Sequence, residues 1–83
     1  MHRDLKPENI MFKQNLQELR IIDFGLASFT NTPSILFPKC GTPGYVAPEI
    51  ANLKDLNKKY DDICDIFSVG CIFYKMYFLL KKL

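Results

Sequence analysis

Apolar positions along the chain fall into two short runs, a punctuated middle and one long run near the end. Asn9 to Phe12 ("NIMF") and Leu19 to Ile22 ("LRII") are brief and β-prone, and the polar segment "KQNLQE" separates them. That pattern predicts a hairpin with a longer connection. Asp23 then falls just beyond a strand end. From Ala27 to Pro48 the chain carries Pro33, Pro38, Pro43 and Pro48 together with Gly41 and Gly44. Such punctuation forbids a long helix or a central strand and predicts an extended loop. Loops of this length are usually functional or disordered.

Pro48 and Glu49 suit the start of a short helix, because proline fits a first turn and an acid there complements the helix dipole. The polar "NLKDLNKK" reads as a surface connection. After it, Asp61 or Asp62 caps a helix running from about Ile63 to Leu80. Its polar members Asp65, Ser68 and Lys75 share one narrow stripe, and the rest of its circumference is apolar. A helix of that kind is expected to be buried nearly all round. The stretch Ile66 to Leu80 is shorter than the ~20 residues needed to cross a bilayer and contains Lys75, so no membrane span is expected.

At 83 residues the chain can own one small core at most. Its hydrophobic fraction of 48% is that of a globular protein and excludes a disordered linker. A formal charge of +2 is too small to imply nucleic acid or an anionic membrane as partner. Cys40, Cys64 and Cys71 form an odd set without CxxC spacing, which supports neither a disulfide framework nor a zinc site. A reducing, cytoplasmic compartment is therefore expected. No basic region followed by an apolar run opens the chain, so no secretory signal is expected.

Candidate chemistry is concentrated in "HRDLKPEN", residues 2 to 9. Phosphoryl transfer to a hydroxyl needs a group that orients or deprotonates the acceptor, a cation near the moving phosphate, and metal ions on its oxygens. Asp4 would accept the proton, Lys6 would face the phosphoryl oxygens, and Asn9 would offer an amide oxygen to Mg²⁺. A Mg²⁺ site uses few protein ligands, and Asp23 in "DFG" is placed to supply a second.

Four motifs occur in order: "HRDLKPEN", "DFG" (Asp23 to Gly25), "GTPGYVAPE" (Gly41 to Glu49) and "DIFSVG" (Asp65 to Gly70). Together they resemble the middle of a eukaryotic protein kinase. Lys6, where tyrosine kinases typically carry Ala, resembles the serine/threonine branch, and "CGTPGYVAPEI" looks most like its calmodulin-dependent group. The resemblance implies ATP and Mg²⁺ as cofactors and a protein with a Ser/Thr acceptor as substrate. It implies catalytic roles for Asp4 and Lys6, nucleotide contacts from Lys6, Asn9 and Asp23, and metal ligation by Asn9 and Asp23. Thr42 would hydrogen-bond Asp4 and Lys6, while Gly44, Tyr45 and Val46 would shape the pocket for the residue after the phosphoacceptor.

Regulation follows by the same resemblance. Arg3 would receive a phosphate from the activation loop, where Ser28, Thr30, Thr32, Ser34 and Thr42 are the available hydroxyls. Pro38 stands where relatives often carry the phosphorylated threonine, so Thr32 or Ser34 substitutes, or no phosphate is needed. His2 is expected to pack and hydrogen-bond rather than to act as a base. Phe24 is expected as a core contact, and Asp65 as an acceptor for the backbone amides around His2 and Arg3. Glu49 would pair with a downstream arginine, and none follows Arg20. Cys40, beside Lys39, is the thiol to examine for reactivity.

The expected fold class is α+β: residues 1 to 83 as a partial kinase domain from the C-terminal lobe, with hairpin, activation segment, short helix and long buried helix. The glycine-rich loop and strand lysine that bind ATP, and further downstream helices, are expected to be absent. Up to ten large side chains on the long helix would then lack cover, which predicts aggregation or a partner. In function, the expectation is a serine/threonine kinase fragment, with the 83 residues alone inactive. The alternatives are a non-catalytic binding or interfering module, or a non-functional gene fragment.

Overall fold

The computed structural model describes residues 1–14, 17–32 and 37–83. Its elements in order are a 3₁₀ turn at Pro7–Asn9, strands β1 (Ile10–Phe12) and β2 (Leu19–Ile21), helix α1 (Pro48–Ala51) and helix α2 (Ile63–Lys81). β1 and β2 pair antiparallel with Ile10 opposite Ile21, Met11 opposite Arg20 and Phe12 opposite Leu19. One further rung, the Ile22 N–H to the Asn9 carbonyl at 2.9 Å, carries the ladder back to the 3₁₀ turn. At its far end the Lys13 N–H donates to the Glu18 carbonyl, and the two side chains pair at 2.9 Å.

Between Ile22 and Pro48 the described residues contain no helix or strand, as the proline spacing requires. α1 begins on Pro48, and both the Ile50 and Ala51 amides donate to the Ala47 carbonyl. At the start of α2 Asp62 stands at the cap position without a side-chain cap bond, and the Ile63 N–H donates instead to the Asp61 carboxylate at 3.1 Å. The helix ends on Lys81, one residue past the expected Leu80.

Ala47, Ile50 and Cys64 are nearly inaccessible and form the core, with Met1, Val46 and Tyr60 packed against them. This core lies between α1 and the first turn of α2. The expectation of a helix buried nearly all round is corrected: within α2 only Cys64, Ser68 and Ile72 are buried. The buried side includes the small and polar residues, and Ser68 donates its hydroxyl to the Tyr45 carbonyl at 2.6 Å. Ten large apolar side chains of α2, among them Phe73, Tyr77 and Leu80, are exposed. Loops and a two-stranded sheet cover one flank of this helix, and no other described element reaches the rest. By length and composition α2 would also pass as a membrane span. Its Asp65, Ser68 and Lys75 are instead engaged with loops of this chain. An apolar groove of about 430 Å³ runs between the hairpin and α2, lined by residues including Leu5, Ile10, Phe12, Val69 and Ile72.

Burial, reinforced by the nearby carboxylates of Asp65 and Glu49, pushes the Cys64 thiol from 9.0 up to about 12. The folded state thus favours the neutral thiol, a preference intact below pH 9.0 and lost as pH climbs through about 12. Stability to urea should fall across that alkaline window and fall less steeply in Cys64→Ala. Equal slopes in the two proteins would assign the loss to other groups.

Candidate active site

The loop from His2 to Asn9 is held in place before any functional group can act. The Asp65 carboxylate reaches from α2 and accepts the backbone N–H of His2 at 2.7 Å and of Arg3 at 2.9 Å, one on each oxygen. Those bonds stabilise a chain reversal that puts Arg3 at φ 72°, a left-handed conformation disfavoured for a residue with a Cβ. The His2 ring is fixed from both sides. Its Nδ1 accepts the Asp4 amide at 3.1 Å, which leaves Nε2 to donate to the Ile22 carbonyl at 2.9 Å. With both nitrogens committed, His2 positions the loop against the end of β2 and is not arranged as a base.

Asp4, Lys6 and Thr42 converge. The Thr42 hydroxyl donates to Asp4 Oδ1 at 2.6 Å and accepts from Lys6 Nζ at 2.9 Å. Lys6 Nζ also stands 3.9 Å from Asp4 Oδ2. The two charged side chains, Asp4 and Lys6, are 15% and 23% exposed, enough to meet a ligand from solvent while already oriented. Thr42 is brought here by a turn in which the Tyr45 N–H donates to the Thr42 carbonyl. Gly41 and Gly44 sit at φ 120° and 94°, values that need glycine. A Cβ on Gly41 would also press on Val46 at 3.2 Å and on the Arg3 carbonyl at 3.4 Å.

Asn9 is buried, and its Nδ2 donates to the Asp4 carbonyl at 2.9 Å, which leaves the amide oxygen without that role. Asp23 follows Ile22, whose amide bonds Asn9, so both residues stand at one end of the hairpin. The Asp23 backbone is left-handed at φ 61°, and its Oδ1 accepts the Gly25 N–H at 3.2 Å. Two hard oxygen donors at one strand end suit a magnesium ion. No cluster of three or more His, Cys, Asp or Glu side chains occurs among the described residues, so any ion at this end of the hairpin would lean on other ligands as well.

Other expected positions are dispersed. Phe24 touches the His2 ring edge-on at 5.2 Å but is 63% exposed, so the expectation of a core contact is corrected. Lys75 Nζ lies 4.0 Å from the centre of the Tyr45 ring and would be 3.5 Å from a Cβ on Gly44, placing a cation beside that turn. Thr32 is half-buried, and Ser34 lies outside the described residues. Cys40 is not an activated thiol: burial pushes it up, and the opposing charge of Arg3 does not overcome that. Lys39, the neighbour that suggested reactivity, is not among the groups acting on it.

Arg3 is tied to other parts of the chain. It is almost inaccessible and donates to the carbonyls of Leu26 (2.7 Å) and Phe37 (2.9 Å) and to the Tyr60 hydroxyl (2.8 Å). Tyr60 was not legible as a site residue, since it ends a polar connection with no motif around it.

A comparison with known proteins matches residues 1–81 to the family described as protein kinase domain. Serine/threonine-protein kinase cds1 of Schizosaccharomyces pombe is 47% identical over 78 residues, covering 90% of this chain and 17% of its own. Calcium-dependent protein kinase 5 of Plasmodium falciparum is 49% identical over 76 residues, covering 89% and 12%. Myosin light chain kinase A of Dictyostelium discoideum is 43% identical over 76 residues, covering 89% and 24%. The chain therefore spans less than a quarter of the length of these curated relatives. No solved structure matches.

Asp65→Ala would leave the His2 and Arg3 amides without their acceptor. It should cost about 2–4 kcal/mol, read as a fall in the urea midpoint by circular dichroism. Asp65→Asn, which keeps one acceptor oxygen, should cost less. A midpoint unchanged by Asp65→Ala would show that the loop holds itself.

Proposed function

The chain belongs to the protein kinase family, and from that premise we propose that it supplies the phosphoacceptor side of a serine/threonine kinase active site. In this reading the complete protein transfers the γ-phosphoryl group of ATP to Ser or Thr hydroxyls of a protein substrate. The observation that carries it is the Thr42 hydroxyl joined to both Asp4 and Lys6, because it ties the acid and the cation of one loop to the segment that would receive substrate.

The residues divide the work by their chemistry. Asp4 Oδ2 is the oxygen not taken by Thr42 and would orient the acceptor hydroxyl and take up its proton. Lys6, one bond from Thr42, would offset negative charge on the transferring group. Asn9 and Asp23 would hold magnesium through oxygen atoms, Asn9 being aimed by its bond to the Asp4 carbonyl. The bound ion would supply charge neutralisation on the phosphate oxygens. Gly44 and Tyr45 would form the wall against which the residue after the acceptor packs, with Lys75 steadying the Tyr45 ring. The calcium-dependent and myosin light chain kinases among the relatives support placing this chain near the calmodulin-dependent group.

The test is a chimera in which this chain replaces the matched segment of the Schizosaccharomyces pombe kinase, assayed with radiolabelled ATP and a protein substrate. Phosphotransfer should be recovered and should fall at least about a hundredfold in Asp4→Asn and in Asp23→Asn, with unchanged circular dichroism. Activity retained by either variant would refute the role assigned to that residue. The 83-residue chain by itself should show no phosphotransfer above background.

A further inference from the structure

We propose that α2 is a self-association surface: two copies of this chain pair their α2 helices antiparallel through a seam of Ile63, Ile66, Gly70, Phe73, Tyr77 and Leu80. The proposal stands apart from the phosphoryl-transfer reading, because none of these residues belongs to the site around Asp4.

Spacing and side define the seam. Its six positions follow at intervals of three, four, three, four and three residues, the alternation that keeps one stripe of a helix against a second helix. All six are exposed, and the five large side chains are between 55% and 69% accessible. With about 3.6 residues per turn, the seam falls opposite Cys64, Ser68 and Ile72, which α2 buries against its own chain. A Cβ on Gly70 would meet nothing within 4 Å. No close approach inside this chain asks for glycine there, and glycine weakens a helix interior. What it provides is a hollow midway along the seam.

The seam is complementary to itself in one direction. Set antiparallel about its midpoint, it puts Ile63 level with Leu80, Ile66 with Tyr77 and Gly70 with Phe73, so each phenyl ring meets the hollow of the other copy. The same register brings Asp61 level with Lys82 and Asp62 level with Lys81 of the second copy. All four charged residues are exposed, and the ion pairs among the described residues use none of them. Lys81 already leans over the Tyr77 ring, 5.0 Å from its centre, which holds its ammonium beside the seam. Parallel pairing would instead set aspartates against aspartates and lysines against lysines, an arrangement that like charges penalise. Because the same patch serves both copies, the association closes at two.

Sedimentation equilibrium of the full 83-residue chain over about 1–100 µM tests the pairing, with helicity of every variant checked by circular dichroism. The average mass should rise with concentration and level off at twice that of the chain. Phe73→Lys, near the centre of the seam, should weaken the dimer at least about tenfold. Leu79→Lys, at an equally exposed position on the side of Ser68 and Ile72, should leave it within about twofold. Asp61→Lys with Asp62→Lys, and separately Lys81→Glu with Lys82→Glu, should each weaken self-association about fivefold or more. Mixing those two double variants should restore a dimer as strong as that of the unsubstituted chain. A chain that stays monomeric, or that leaves solution for phosphatidylcholine vesicles instead of pairing, would overturn the proposal. So would a mass that climbs past the dimer without levelling, equal effects of Phe73→Lys and Leu79→Lys, or charge variants that self-associate as well as the unsubstituted chain.

Discussion

One carboxylate organises this chain. Asp65 projects from the first turn of α2 and takes the amides of two successive residues, His2 and Arg3, more than sixty positions away in sequence. Backbone donors turned inward at a tight reversal must find acceptors, and a charged acceptor makes the stronger bond. With that bond in place the reversal at Arg3 is tolerated, His2 is directed to the end of β2, and Asp4 meets Thr42. The small apolar core of Ala47, Ile50 and Cys64 lies beside this contact but does not by itself orient the loop.

The helix that carries Asp65 is unusual in which side it turns inward. Asp65, Ser68 and Lys75 meet the His2–Asn9 loop and the Gly44–Tyr45 turn, while most of the large apolar side chains face outward. Polar contacts of this kind specify geometry, because each has one partner and one direction, whereas apolar contacts tolerate sliding. The outward face retains the aggregation hazard of any large apolar patch. α2 therefore serves as a rigid post for the site, and its own stabilisation by burial is slight within these 83 residues.

Two bridges then fold the long proline-punctuated loop back over the His2–Asn9 loop. At one end Thr42 joins Asp4 and Lys6, and at the other Tyr60 and Arg3 hold the carbonyls of Phe37 and Pro38. Glycines at Gly41 and Gly44 allow the turn between them to reverse at close range. The loop has no regular structure to hold it, so these side chains perform the task that a ladder of backbone bonds performs in a strand.

Much was legible in the sequence. Short β-prone apolar runs, proline and glycine punctuation and an aspartate before a long apolar stretch determined the hairpin, the irregular loop, α1 and α2, because each depends on neighbours a few residues apart. The motif residues Asp4, Lys6, Asn9 and Asp23 stood out as candidates for phosphoryl chemistry, because their order along the chain is itself a local pattern. Only the tertiary structure decided which side of α2 faces inward, that the Asp61 carboxylate rather than that of Asp62 bonds its first amide, that Phe24 is uncovered, and that burial pushes the Cys40 thiol up. It also decided that Tyr60, in a connection without any motif, meets Arg3. These outcomes depend on pairs separated by tens of residues, whose meeting requires the chain to close on itself, and no local pattern encodes which carbonyl a distant hydroxyl or guanidinium will find.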